Sequence, residues 1–308
     1  MKYIDPSFKL IELPLLDKIE LAGRVCYQSE DKKKEGTDIT FINNICKRDH
    51  TSVLEHGGIY FSMDLETSDK LRMVLRSIED MYQIDILPFI KFKRIHREPA
   101  ICSTNLRLLH TLMSFIMYDE VRSLIIGVLN EFPELIPFLP LERVSFDSLW
   151  GYPIKRLEDV DELNIETFNI VCDRAIQNEL VRHRTMSFSV ESTRYCNYSK
   201  DKFNNEISII TPETMVENSL MESIYHEGCT ASEIKYFDLL ESGCTAQIAR
   251  KALPLGLKTE FYMSGYVFNW NKVFKLRSVS GAHPEVRVIS MGINQALNKK
   301  YGDLVPII

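Results

Sequence analysis

The chain has 308 residues, of which 45% are hydrophobic and 26% charged, and its 37 basic and 43 acidic side chains leave a formal charge of −6. That length buries a sizeable core, as one large domain or two small ones. The acidic balance argues against broad, salt-driven adhesion to nucleic acid or to an anionic membrane, while leaving room for a small anion in a local basic pocket.

In chain order, the opening MKYIDPSFKL lacks the pattern of a signal peptide. Cys26, Cys46, Cys102, Cys172, Cys196, Cys229 and Cys244 are odd in number and include no C-x-x-C pair, so reduced thiols in a cytoplasm are expected. Cys46 and His50 are four apart, as two ligands on one helix would be, but no further ligands cluster with them and no metal is expected. GGIYFSM near residue 60 reads as a strand. SDKLRMVLRSIEDMYQ reads as a helix capped by Ser68, burying Leu71, Val74, Leu75, Ile78 and Met81. The apolar stretch 109–132 is broken by Asp119, Glu120 and Arg122, and falls short of the ~20 residues of a membrane span. ETFNIVC near residue 170 reads as a second strand, after which Asp173 can cap a helix over DRAIQNELVRHR. YFDLLESG reads as a helix end stopped by Gly243. The last helix starts at Pro284, buries Val286, Ile289, Ile293, Ala296 and Leu297, and stops before Gly302.

This pattern delivers Arg182, His183 and Arg184 at a helix C-terminus, where the negative end of the helix favours cations. The loop beyond carries Ser187, Ser189, Ser192, Thr193 and Arg194, donors suited to phosphate oxygens and ribose hydroxyls. No G-x-G-x-x-G fingerprint accompanies them, so any dinucleotide must be held by side chains.

Arg182-His183-Arg184 followed by seven residues and Ser192 resembles the signature of the flavin-dependent thymidylate synthases. Other blocks agree in order: GRVCY at 23–27, HTSVLEH at 50–56, LLESGCTAQIARKALPLGLKT at 239–259 and LRSVSGAHPEVR at 276–287. The resemblance covers both ends of the chain and departs between about 64 and 165, where this sequence carries an insertion read as largely helical.

What the resemblance implies is a single α+β domain, an antiparallel sheet flanked by helices. Its activity would be conversion of dUMP to dTMP, with methylenetetrahydrofolate as carbon donor, FAD as hydride mediator and NADPH as reductant. A homotetramer with active sites between subunits is implied, as is the absence of nucleic-acid and membrane partners. By position in its block, Arg277 would be the catalytic group, stabilising charge on the pyrimidine. The nucleotide would be held by Glu179, Arg182, Glu191, Ser192, Thr193, Arg194 and Arg277, with Arg250 reaching in across an interface. FAD would lie against His50, Ser52, Glu55, Arg182, His183, Arg184 and Ser189.

Some positions depart from the pattern. Glu179 stands where many relatives have glutamine, and a carboxylate only accepts hydrogen bonds. Tyr266 and Phe268 stand where relatives have an N-x-R pair, with Asn269 and Trp270 beside them. Two other readings follow: a related transferase that makes 5-hydroxymethyl-dUMP, and a non-catalytic nucleotide- or RNA-binding homologue.

Overall fold

The structure is a computed structural model that describes residues 1–95, 98–141 and 150–308. Strands β1 (Lys2–Ile4) and β2 (Ser7–Leu10) precede helices α1 (Leu15–Val25) and α2 (Thr37–Lys47). A 3-10 turn, Thr51–His56, leads into β3 (Gly58–Met63) and α3 (Leu65–Tyr82). Next come β4 (Lys91–Lys93), β5 (Ala100–Asn105), α4 (Leu106–Leu112), α5 (Asp119–Glu131) and β6 (Ile154–Arg156). The C-terminal half runs through β7 (Ile165–Asp173), α6 (Arg174–Leu180), β8 (Ser187–Val190), β9 (Ser208–Ile210), α7 (Glu213–Val216), α8 (Ser219–Glu241), α9 (Ala246–Ala249), β10 (Lys258–Tyr266), α10 (Val267–Arg277) and α11 (Pro284–Tyr301).

Two four-stranded antiparallel sheets organise this mixed helix-and-sheet architecture. The first has the order β2-β7-β10-β8, with β7 and β10 in register from Lys258 opposite Asp173 to Tyr266 opposite Ile165. One of its faces presents Phe168, Ile170, Phe261 and Met263 to Trp270 and Phe274 of α10 and to Ile289 and Ile293 of α11. Trp270 is fully buried, meets Phe168 edge-on, and donates its indole N–H to the Glu166 carbonyl. Such an aromatic pair adds about 0.5–1.5 kcal/mol beyond the area it buries. The other face meets α1 through Ala22, Val25 and Tyr262.

The second sheet has the order β4-β5-β3-β6. Ile59, Phe61 and Met63 of β3 point into a separate core built with α2, α3, α4 and α5. Segment 64–165 is therefore less purely helical than its sequence suggests, because β3 recruits β5 on one edge and β6 on the other. Within that segment, residues 96–97 and 142–149 lie outside the described residues. A third, smaller cluster gathers α8 and α9 against β9, which pairs in parallel with β1.

Three local readings change. Asp64, not Ser68, caps α3: its carboxylate accepts from the Thr67 N–H at 2.8 Å, and Ser68 is buried one turn in. The buried stripe of α3 is Leu71, Leu75 and Ile78, while Met81 is 66% exposed. Asp173 does cap α6, accepting from Ile176 N–H at 2.7 Å, but that helix stops at Leu180. Arg182, His183 and Arg184 thus occupy a turn beyond the helix, outside its last intrahelical bonds. Gly243 stops α8 at φ +89°, and α11 spans Pro284–Tyr301.

Candidate active site

The first sheet and the turns at its ends place the sequence-selected residues in three neighbourhoods. One is a cavity of about 770 Å³ between the two sheets, in the size range of small-molecule sites. Glu55 and Arg184 both line it, together with Ser187 at the start of β8 and Phe268, Asn269 and Lys272 on α10. Glu55 is buried and is held by Arg107 of α4 on one oxygen and by the Ser187 hydroxyl on the other. Asn269 is 4% exposed; its amide nitrogen donates to the Thr185 carbonyl at 3.2 Å, while its Oδ1 is buried with no partner. A buried acceptor without a partner, on a residue that lines the cavity, suits a ligand N–H. Tyr266 and Phe268 stack with centroids 5.4 Å apart at 7°.

The second neighbourhood joins α6 to α10. Arg277 donates from Nε to His183 Nε2 at 3.1 Å, from Nη1 to the Glu179 carboxylate at 2.5 Å, and from Nη2 to the Glu179 carbonyl at 2.9 Å. Accepting at Nε2 puts the proton of a neutral His183 ring on Nδ1. Burial, and then the Arg277 charge, hold the His183 pKa below its usual value, so the ring stays neutral near pH 7. Glu179 therefore grips Arg277 from side chain and backbone at once.

The third neighbourhood is an exposed cationic corner. Arg250 Nη1 lies 3.4 Å from Thr193 Oγ1, and Arg194 Nε donates to Gln247 at 3.2 Å. Within its own chain Arg250 reaches the Ser192–Arg194 loop. β8 physically connects the three-residue loop to the cavity, with Ser187 at one end and Val190 at the other.

Other expected residues point elsewhere. His50 and Ser52 are exposed and do not line the cavity. Arg182 is exposed and likewise lies outside it. Ser189 is 4% exposed, and its hydroxyl is spent on His56 rather than facing the cavity. Glu191 is 2% exposed and paired with Lys258 at 3.0 Å and the Tyr198 hydroxyl at 2.9 Å, so it braces the loop from beneath instead of facing Arg194. Burial opposes the Lys258 charge, but Glu191 and Glu260 outweigh it and hold its pKa above the usual lysine value.

His56 was not singled out by its sequence. It is fully buried, with Nδ1 2.7 Å from Ser264 Oγ and Nε2 2.9 Å from Ser189 Oγ. Ser264 continues to Thr167 Oγ1 at 2.7 Å, and Thr167 returns to the His56 carbonyl. The circuit runs in one direction: Thr167 donates to the carbonyl, Ser264 to Thr167, His56 Nδ1–H to Ser264, and Ser189 to Nε2. It clamps the turn bearing Glu55 onto β8 and β10. The signal in the sequence was its place in HTSVLEH, immediately before a strand.

All seven cysteines are free, and no helix among the described residues is long and apolar enough to cross a membrane.

Two β-sheets, the basic turns at their ends and a half-open cavity of mixed polarity between them form the candidate site. Residues 14–69 and 157–301 match the family described as thymidylate synthase complementing protein, and the chain belongs to that family, which is that of the flavin-dependent thymidylate synthases. Residues 70–156 fall outside the match. Among relatives, the flavin-dependent thymidylate synthase of Aquifex aeolicus is 23% identical over 172 residues, covering 53% of this chain and 54% of that one. Those of Thermotoga neapolitana (26% identical, 44% and 62% covered) and Pyrococcus furiosus (27%, 55% and 78% covered) are similar. The chain thus spans little more than half the length of the first two relatives. Among solved structures, the UMP/dUMP methylase PolB from Streptomyces cacaoi bound with 5-Br dUMP aligns over 97% of this chain and 93% of that one. Its TM-score is 0.42 and its identity 14%, values at which the likeness carries no argument.

Proposed function

We propose that this protein is a flavin-dependent thymidylate synthase, an α+β enzyme that methylates dUMP to dTMP with methylenetetrahydrofolate as carbon donor, FAD as cofactor and NADPH as reductant. One observation carries the reading. Three segments far apart in sequence, bearing Glu55, Arg184 with Ser187, and Asn269, converge on one cavity. Two of them come from blocks that resemble the family's own.

The donor set fits a flavin. Asn269 Oδ1 is an unpartnered buried acceptor for a ring N–H, Phe268 supplies a flat wall, and Arg184 a positive charge. When bound, the flavin supplies the hydride. The chain's own residues bind and orient. Arg194 and Arg250, with Ser192 and Thr193, would take the nucleotide phosphate at the exposed corner, where guanidinium forks match phosphate oxygens. Arg277 would face the pyrimidine and stabilise negative charge as C5 becomes nucleophilic. Its grip by Glu179 and neutral His183 fixes it beforehand, so little reorganisation accompanies the charge. Leu220, Met221, Ile224 and Ile234 leave an apolar strip of α8 exposed, which supports the expected assembly into a homotetramer. Cytoplasmic action on free nucleotide, without nucleic acid or membrane, completes the reading.

The test is dTMP formation from dUMP with methylenetetrahydrofolate, FAD and NADPH, each omitted in turn. Turnover that survives omission of FAD from stripped protein refutes it. Product mass decides the hydroxymethyl alternative, which the Tyr266–Phe268 stack at the cavity favours: an added CH2 means methylation, an added CH2O hydroxymethylation. Colourless protein indifferent to FAD and dUMP would leave the non-catalytic binder.

A further inference from the structure

The part of the chain outside the family match contributes one side of the cavity. Phe89, Lys91 and Arg107 all belong to it, and all line the same space as Glu55, Arg184 and Asn269. Lys91 sits on β4, half-buried, with Nζ donating to the Leu87 carbonyl at 2.7 Å. Among the described residues no carboxylate pairs with it at ion-pair distance, nor with Lys272 or Arg184 on the same cavity. Arg107, by contrast, is committed to Glu55 and stacks over Phe89 with 5.3 Å to the ring centre. Lys91 and Lys272 lie over the two rings of the stacked pair, 5.8 Å from Tyr266 and 5.7 Å from Phe268. Burial first, and then repulsion from Lys272, push the Lys91 pKa down.

The placement of Lys91 is built rather than incidental. The Glu79 carboxylate accepts from the Ile86 and Leu87 N–H groups at 2.8 and 2.9 Å, pinning the turn that presents it. Glu79, whose charge partly offsets the lowering at Lys91, and Asp85 also line the cavity, so the wall is not uniformly positive. Two ammonium groups without a carboxylate at ion-pair distance, each against one ring of an aromatic pair on the cavity wall, suit an anionic ligand. On the opposite count, Asn269 Oδ1 calls for an N–H donor, and the aromatic pair for a flat ring.

We propose that the inserted segment is part of the cofactor site, with Lys91, assisted by Lys272, binding the phosphate of the flavin nucleotide whose ring lies toward Asn269. This rests on the flavin reading above and extends it to residues the family match does not reach. A lysine meets phosphate as a point charge, so loss of charge at this position weakens binding of a phosphorylated flavin while sparing one that has no phosphate.

The experiment measures equilibrium binding in the full-length protein, stripped of cofactor, by flavin fluorescence for FAD and riboflavin and by titration calorimetry for tetrahydrofolate. Wild type, Lys91→Met, Lys91→Arg and Lys272→Met are compared, with thermal unfolding to confirm that each variant folds. Lys91→Met is expected to raise the Kd of FAD about tenfold or more and that of riboflavin less than twofold, with Lys91→Arg retaining most FAD affinity. Lys272→Met should shift FAD in the same direction. Equal FAD affinity in wild type and folded Lys91→Met overturns the inference and leaves the flavin reading intact. Parallel losses for FAD and riboflavin reduce Lys91 to a structural prop and overturn it too. A loss confined to tetrahydrofolate reassigns the cavity wall to the folate tail, again overturning it. Wild type that binds neither flavin removes the flavin reading, and this inference with it.

Discussion

Acidification should destabilise this protein, and one substitution should isolate the share that His56 contributes. His56 is fully buried inside a circuit of hydroxyls, with no carboxylate at ion-pair distance among the described residues, and burial lowers its pKa from 6.5 to about 3. In the unfolded chain the same ring titrates near 6.5. Its folded pKa is thus depressed, so below pH 6.5 the unfolded state takes up a proton that the folded state refuses. Stability is complete above that pH, falls as pH drops, and levels off only near the folded pKa. By linkage, His56 alone removes about 1.4 kcal/mol at pH 5.5 and about 2.7 kcal/mol at pH 4.5; both values depend almost wholly on the unfolded pKa. Urea unfolding, followed through the buried Trp270 at fixed protein concentration, should show these losses between pH 7.5 and 4.5. His56→Asn, which does not titrate, should be less stable at pH 7.5 yet lose correspondingly less on acidification. His183 and His110 also have lowered pKa values, so the difference between wild type and variant isolates His56. Parallel curves for the two proteins would refute the circuit's closed geometry. Because His56 fastens the Glu55 turn to β8, bound flavin, if the cavity holds it, should be released in the same pH window.

Arg277→Ala should lower kcat by at least about 100-fold while flavin stays bound, and Arg277→Lys should recover little, since an ammonium cannot meet Glu179 and His183 together; near-normal turnover removes Arg277 from the chemistry. Arg194→Ala and Arg250→Ala should each raise the KM for dUMP about tenfold with a smaller change in kcat, and steady-state kinetics showing an unchanged KM would move the phosphate elsewhere. Gly127→Ala tests the packing of the inserted segment. Its added Cβ would stand 2.5 Å from the Tyr152 carbonyl oxygen, where backbone and not a flexible side chain must yield. A loss of about 1–3 kcal/mol in denaturant unfolding is expected, and an unchanged midpoint would show that the two segments separate freely.

The sequence carried the parts of the fold whose causes lie within a few residues. β3 and β7 declare themselves by β-branched and aromatic runs, α6 by Asp173 before its first turn, the end of α8 by Gly243, and α11 by Pro284 and its apolar spacing. Strands β4 and β6, each three residues long, carry no such signal; KFK and IKR become strands because β3 and β5 offer them edges to pair with. Ser189 and Glu191 show the same limit within the candidate site. As types they suit a nucleotide, yet the hydroxyl is claimed by His56 and the carboxylate by Lys258, partners 133 and 67 residues away.

Composition and motif order by themselves pointed to the family and to a basic loop, because side-chain chemistry and short-range spacing are written directly in the chain. Tertiary structure alone decided which cations of the chain are left without a carboxylate partner. Arg107 is neutralised by Glu55 and Arg277 is gripped by Glu179, whereas Lys91 is left facing a cavity. Whether a charge is spent or available depends on what folds against it, and the electrostatic partner of a residue is set by the packing of distant segments.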